Sequence, residues 1–114
     1  SFGSPTIWNS GYTNGWNTIN HTRTLADVNG DGKADIIGFG NNSVLVSLSN
    51  GTSFGSPTIW NSGYTNGWNT TNHIRILADV NGDGKADIIG FGNNDVLVSF
   101  SNNSSFGNPT TIFE

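Results

Sequence analysis

Apolar residues in this chain fall at alternate positions in short bursts, and none recur at helical spacing. The clearest burst covers residues 74–80: Ile74, Ile76, Ala78 and Val80 share one face, and Arg75, Leu77 and Asp79 share the other. Residues 22–28 repeat this alternation with Thr22 and Thr24 in the isoleucine positions. A second burst, Ala34 to Phe39, is apolar on both faces and is expected to be a central strand. Val44 to Leu48 reads as a third strand, and Pro57 to Trp60, entered through Ser53-Phe54-Gly55, as a fourth. Gly, Asn, Asp and Ser punctuate these segments at short intervals. The pattern predicts an all-β protein with four antiparallel strands per unit, the make-up of a propeller blade.

The unit recurs. Residues 1–52 and 53–104 align without a gap and differ only at 19/71, 22/74, 24/76, 43/95, 48/100, 51/103 and 52/104. A third, partial copy opens at Ser105-Phe106-Gly107. A period of this length belongs to propeller blades and solenoids. Copies so alike point to recent duplication or to a consensus or engineered sequence. The chain then divides into residues 1–20, an extra fourth strand with a crossing loop; 21–62, the first blade; 63–72, the inter-blade crossing; and 73–114, the second blade.

Between the first two strands of each unit lies Asp27-Val28-Asn29-Gly30-Asp31-Gly32-Lys33-Ala34-Asp35, repeated from Asp79 to Asp87. Side-chain oxygens come from Asp27, Asn29, Asp31 and Asp35, and in the second copy from Asp79, Asn81, Asp83 and Asp87. Intervening glycines let the backbone curl around a centre. A hard divalent cation takes six to eight oxygens from such a loop, commonly with one main-chain carbonyl, here that of Lys33 or Lys85. An EF-hand is excluded, because its last ligand position is Gly38 or Gly90 and the flanks read as strand. An Asx- and Gly-rich turn without metal is the plain alternative. Three carboxylates in nine residues would repel one another there, so Ca²⁺ is expected, about two ions per chain.

Composition then narrows the class. The formal charge is −4, yet six of the eight acidic residues sit in the two loops, leaving Asp95 and Glu114. Two Ca²⁺ would bring the chain close to neutral, so the acidity needs no oppositely charged partner. Four basic residues without a patch make nucleic-acid binding unexpected. Cysteine is absent and no apolar run is long enough to span a membrane, nor is a signal peptide read in the chain.

Strand parity separates metal from aromatics. In an up-and-down blade the Asp loops lie at one end, and the turn Gly40-Asn41-Asn42 and the crossing Trp60 to His73 lie at the other. That crossing holds Trp60, Tyr64, Trp68 and His73; its counterpart holds Trp8, Tyr12, Trp16 and His21, and Arg23 and Arg75 open the strands that follow. Rings among amides and hydroxyls suit a sugar, whose C–H face packs on an aromatic plane while its hydroxyls need directional partners. Candidate contacts are therefore Trp8, Tyr12, Trp16, His21, Arg23, Asn41, Asn42, Trp60, Tyr64, Trp68, His73, Arg75, Asn93 and Asn94. Each has a structural alternative: strand-end Trp as inter-blade packing, His bonded to backbone, the Asn pair as a hairpin turn.

Leu25 through Gly40 resembles the FG-GAP/VCBS repeat, which is found in integrin-type propellers and in fungal lectins of the Psathyrella velutina type. The resemblance covers both repeats. It implies a six- or seven-bladed propeller that binds terminal N-acetylglucosamine, in some cases sialic acid, between blades. Carried over, it implies a pocket joining His21, Arg23, Asn41 and Asn42 to Tyr64 and Trp68 of the following blade. Tyr12 and Trp16 of one chain would likewise complete a pocket with His73, Arg75, Asn93 and Asn94 of its neighbour. Family lectins carry all blades on one chain, whereas two are present here. The expectation is a closed homo-oligomeric ring, three chains giving six blades or four giving eight. Function is then expected to be non-enzymatic glycan binding in a secreted setting, with an integrin-like adhesive module as the alternative. The carboxylates are committed to loops and no Ser-His-acid set is apparent, so no catalysis is expected.

Overall fold

The computed structural model describes residues 11–12, 16, 21–40, 43–61, 63–64, 68 and 73–113. Trp8, Asn41 and Asn42 lie outside the described residues, as does most of the expected segment 1–20. Eight strands follow one another: β1 (Arg23–Ala26), β2 (Asp35–Phe39), β3 (Val44–Ser47), β4 (Thr58–Asn61), β5 (Arg75–Ala78), β6 (Asp87–Phe91), β7 (Val96–Ser99) and β8 (Thr110–Phe113). They form two four-stranded sheets, β1-β2-β3-β4 and β5-β6-β7-β8, in which neighbours in sequence are neighbours in space. Each sheet is the antiparallel meander expected of a blade, and no helix occurs among the described residues.

The two blades share one register. Arg23 pairs with Gly38 and Ala26 with Asp35, while Arg75 pairs with Gly90 and Ala78 with Asp87. Both blades carry a register shift in the third strand, between Val44 and Leu45 and between Val96 and Leu97. Such an irregularity increases local twist. Ile37, Gly38 and Phe39 of β2 are buried, in keeping with a strand covered on both faces. The outer strand of the second blade comes from the C-terminal copy, since β8 pairs with β7.

The core lies between the blades. Val28, Ile37, Phe39, Val44 and Val46 of the first blade pack with Tyr64 of the crossing and with Ala86, Ile88 and Phe106 of the second blade. Trp60, at the end of β4, stacks against Phe106 with ring centroids 5.3 Å apart. Polar contacts stitch the same seam: Asn61 Nδ2 donates to the carbonyls of Phe106 (3.1 Å) and Gly107 (2.9 Å). Ala86 N–H donates to the Asp27 carbonyl at 2.8 Å, and the Ser101 hydroxyl donates to the Val28 carbonyl. Arg75 lies across the seam, its guanidinium carbon 5.2 Å from the Phe39 ring centroid and its Nη2 3.2 Å from Thr22 Oγ1. Burying apolar surface is the main drive, roughly 25 cal/mol per Å² removed from water. The hydrogen bonds fix register and avoid stranded polar groups.

Candidate functional site

At one end of each blade the acidic loop turns between the first two strands. Two glycines take left-handed backbone, Gly30 at φ 77° and Gly32 at φ 86°, with Gly82 and Gly84 matching them at 78° and 84°. A Cβ would strain that conformation. The loop wraps around its own first carboxylate: Asp27 Oδ1 accepts from Gly30 N–H (2.8 Å) and Oδ2 from Gly32 N–H (2.8 Å). Asp79 repeats this with Gly82 and Gly84 at the same 2.8 Å. Asp35 is fully buried and bridges two loops, accepting from Val28 N–H (3.1 Å) and from Ser49 N–H (2.8 Å) in the turn after β3. Asp87 does the same with Val80 and Ser101.

The ligand chemistry fits a hard cation. One oxygen each from Asp27, Asp31 and Asp35 lies within 4.8 Å of the others, and Asp79, Asp83 and Asp87 form the same cluster. A carboxylate oxygen that accepts one N–H keeps a lone pair for a metal. Burial raises the Asp35 carboxyl above its usual range, against the opposing Ser49 and Val28 N–H bonds, and neighbouring Asp31 and Asp27 raise it further. A cation among them would reverse that balance. Among the described residues, positive charge comes at the rim, from Lys33 Nζ 3.6 Å from Asp31 and Lys85 Nζ 3.4 Å from Asp83. Exposed pairs of this kind contribute little.

The opposite end of each blade carries the rings. Tyr64, Trp68 and His73 stack in sequence, with centroids 5.4 Å and then 5.0 Å apart. Tyr12, Trp16 and His21 reproduce the series at 5.3 Å and 5.0 Å. His73 Nε2 is 2.9 Å from Asn93 Oδ1, which ties the series to the turn after β6. Trp68 remains half-exposed, and Asn93 and Asn94 are exposed beside the buried His73.

These contacts run within a repeat, while the expected pairing of Tyr64 and Trp68 with His21, Arg23, Asn41 and Asn42 falls partly outside the described residues. Tyr64 and Trp68 gather with His73 and Asn93 of their own repeat, and Tyr12 and Trp16 gather with His21. Glycines supply the reason. A Cβ on Gly90 would meet the Tyr64 ring at 2.6 Å and Trp68 at 3.0 Å, and one on Gly38 would meet Tyr12 at 2.7 Å and Trp16 at 2.9 Å. Only a bare backbone in the middle of β2 or β6 lets the preceding crossing lay its rings on that strand. Gly90→Ala is therefore expected to cost about 1–3 kcal/mol of stability through overpacking. It should also red-shift Trp emission as Trp68 is pushed outward; unchanged emission and stability would contradict this seat.

Some of the expected ligand contacts also serve as braces. Arg75 is 3% exposed, donates from Nη1 to the Tyr64 carbonyl at 2.7 Å, and spans the seam to Thr22. Burial lowers its pKa from the usual guanidinium range. Arg23 makes the same bond to the Tyr12 carbonyl at 2.9 Å but lies exposed. These bonds hold tyrosines in left-handed backbone, Tyr12 at φ 62° and Tyr64 at φ 60°, a conformation that ordinarily costs an L-residue energy. The Tyr12 and Tyr64 hydroxyls are hydrogen-bonded to Ser47 and Ser99, and burial raises both phenols. Trp60 is buried in the seam, its Nε1 donating to Thr58 Oγ1. Gly38, Gly90, Ser47 and Ser99 were not singled out from sequence, although an isolated glycine inside an apolar strand signals a close approach.

Comparison with known proteins follows from this geometry. The family model for the FG-GAP-like repeat matches residues 27–90. Among solved structures, an Agrocybe aegerita lectin described as specifically recognising non-reducing terminal N-acetylglucosamine is 46% identical, with a TM-score of 0.80 over 86% of this chain and 26% of that one. This chain thus spans about a quarter of that lectin. Among curated proteins no sequence matches. The repeat model takes in more than half of the residues and both carboxylate loops, and the chain belongs to the FG-GAP-like repeat family.

Proposed function

We propose that the chain is a carbohydrate-binding module that recognises terminal N-acetylglucosamine-type glycans, sialylated ones included, without turning them over. One observation carries this reading: a half-exposed Trp68, backed by Tyr64 and His73, stands next to exposed Asn93 and Asn94 at the end away from the carboxylates. A pyranose presents both an apolar C–H face and polar edges, and this surface offers a ring for the first and amides for the second. The 46% identity to a lectin of that specificity supports the choice of sugar. The equivalent set in the first repeat is Trp16 with Tyr12 and His21.

The test is a titration of N-acetylglucosamine followed by Trp fluorescence. Emission is expected to shift saturably, and Trp68→Ala to weaken the response at least about tenfold, roughly 1.4 kcal/mol, while far-UV dichroism stays unchanged. An unaltered spectrum at high sugar concentration would favour the adhesive-module reading, in which the rings serve packing alone; the burial of Trp60 and Arg75 is what favours it.

Calcium belongs to the same proposal. Asp27, Asn29, Asp31, Asp35 and the Lys33 carbonyl would hold one ion, and Asp79, Asn81, Asp83, Asp87 and the Lys85 carbonyl another. When bound, Ca²⁺ supplies a hard positive centre that neutralises three clustered carboxylates. Sites of this open kind on extracellular modules bind at about 10⁻⁴–10⁻³ M, which suits a secreted protein.

A further inference from the structure

The two ring surfaces are built from the same residues and differ in charge. Of the seven positions at which the repeats differ, one alone changes charge: Ser43 of the first repeat is Asp95 in the second. Both residues close the turn between the second and third strands of their blade. Gly40 N–H donates to the Ser43 carbonyl and Gly92 N–H to the Asp95 carbonyl, each at 2.9 Å. The same bond thus holds the turn in both blades, and the exchange acts through the side chain. That side chain stands at the edge of the Trp68 ring. A Cβ on Gly92 would meet Asp95 Oδ1 at 3.0 Å and Trp68 Cη2 at 3.8 Å, so carboxylate and ring flank one point. At Gly40 the nearest atoms are the Ser43 carbonyl oxygen and two carbons of Trp16. The other Asp95 oxygen, Oδ2, accepts from Thr111 Oγ1 at 3.3 Å. Ile59 takes the place of Thr111 in the first repeat and offers no such donor. The cations are matched, since Arg75 and Arg23 each donate to the carbonyl of the tyrosine behind the ring. Among the described residues Asp95 is the one carboxylate at the ring end, the other six lying in the acidic loops.

We infer, resting on the glycan-binding reading above, that Asp95 sets the charge selectivity of the Trp68 surface. That surface takes neutral N-acetylglucosamine-type sugars and turns away sialylated ends, whereas the Trp16 surface, with Ser43, takes both. A sialic acid stacked on Trp68 would bring its own carboxylate toward Asp95 Oδ1, and like charges at such range repel even in a half-exposed site. A neutral sugar meets no such penalty, because a carboxylate accepts from hydroxyl and amide donors. One residue thereby gives two nearly identical surfaces different ligand ranges on a single chain.

Isothermal titration calorimetry of the 114-residue chain with N-acetylglucosamine and with N-acetylneuraminic acid tests this. Trp16→Ala leaves the Trp68 surface to be read, and Trp68→Ala leaves the Trp16 surface, each variant checked by far-UV dichroism. On the Trp68 surface, Asp95→Ser and the isosteric Asp95→Asn are each expected to strengthen sialic acid about three- to tenfold relative to N-acetylglucosamine. The gain should shrink as salt is raised. On the Trp16 surface, Ser43→Asp is expected to weaken sialic acid by the same factor. A change that falls equally on both sugars overturns the inference, because Asp95 would then act only by holding the turn. So does sialic acid that binds neither the Trp16 surface nor the Asp95→Ser one. A wild-type chain that binds no N-acetylglucosamine overturns the glycan-binding reading itself, and charge selectivity falls with it. If a Trp variant does not fold, the same ratio of affinities is read on the wild-type chain with and without Asp95→Asn.

Discussion

Phe39→Ala is expected to remove about 3–5 kcal/mol from the stability of the chain, the usual cost of deleting a large ring from a closed core. Its ring is fully buried, carries the Arg75 guanidinium on its face, and belongs to the cluster that joins the blades. Loss of the ring would open a cavity lined by Val and Ile and strip Arg75 of the partner that offsets its burial. A small domain has only about 5–15 kcal/mol in total, so the variant should unfold at much lower urea concentration. Phe91→Ala makes the same chemical change where the ring is 40% exposed. It should cost much less, because a partly exposed ring leaves no closed cavity behind. Equal destabilisation by both substitutions would show that the two repeats sit in the same environment, contrary to the seam described.

If the loops hold calcium as proposed, its removal is expected to be the second large effect. If each loop binds at about 10⁻⁴–10⁻³ M, 10 mM Ca²⁺ stabilises the folded form by roughly 1.4–2.7 kcal/mol per site. Two sites then contribute about 3–5 kcal/mol, and chelation is expected to lower Tm by on the order of 10 °C or more. The fraction that stays folded should still bind sugar, because the rings lie at the opposite end of each blade from the carboxylates. Differential scanning calorimetry with and without chelator, paired with a sugar titration below the transition, reads both. An unchanged Tm would remove calcium from the account. Lost sugar affinity with an intact fold would mean that the cation reaches the glycan surface.

Much of the architecture could be read directly. Alternation in residues 74–80, the doubly apolar Ala34–Phe39 and the short turns between them mark four strands per repeat, and the structure forms them in that order. The acidic loops were legible because a metal-type donor set is local, contained within nine residues. What lies opposite a face is not local. Alternation says that Arg75 and Leu77 share a side, but it does not say that Phe39 covers them, and the identical Arg23 is left exposed. The seat of the aromatic rings was less legible for a related reason. Parity placed the rings at the correct end, whereas their seat depends on Gly38 and Gly90, whose information lies in a missing side chain. Trp60 likewise reads as a ring at a strand end, and only Phe106 from the next repeat, 5.3 Å away, shows it to be packing.

Two of the hydrogen bonds that cross between blades terminate on main-chain carbonyls of the acidic loop, those of Asp27 and Val28. An ion held by that loop, as proposed, would therefore also hold the acceptors that the second blade uses, and blade packing would in turn tighten the hold on the ion, since such coupling is reciprocal. Chelation would then loosen the seam between the blades as well as the loop itself, so the two would be expected to melt together.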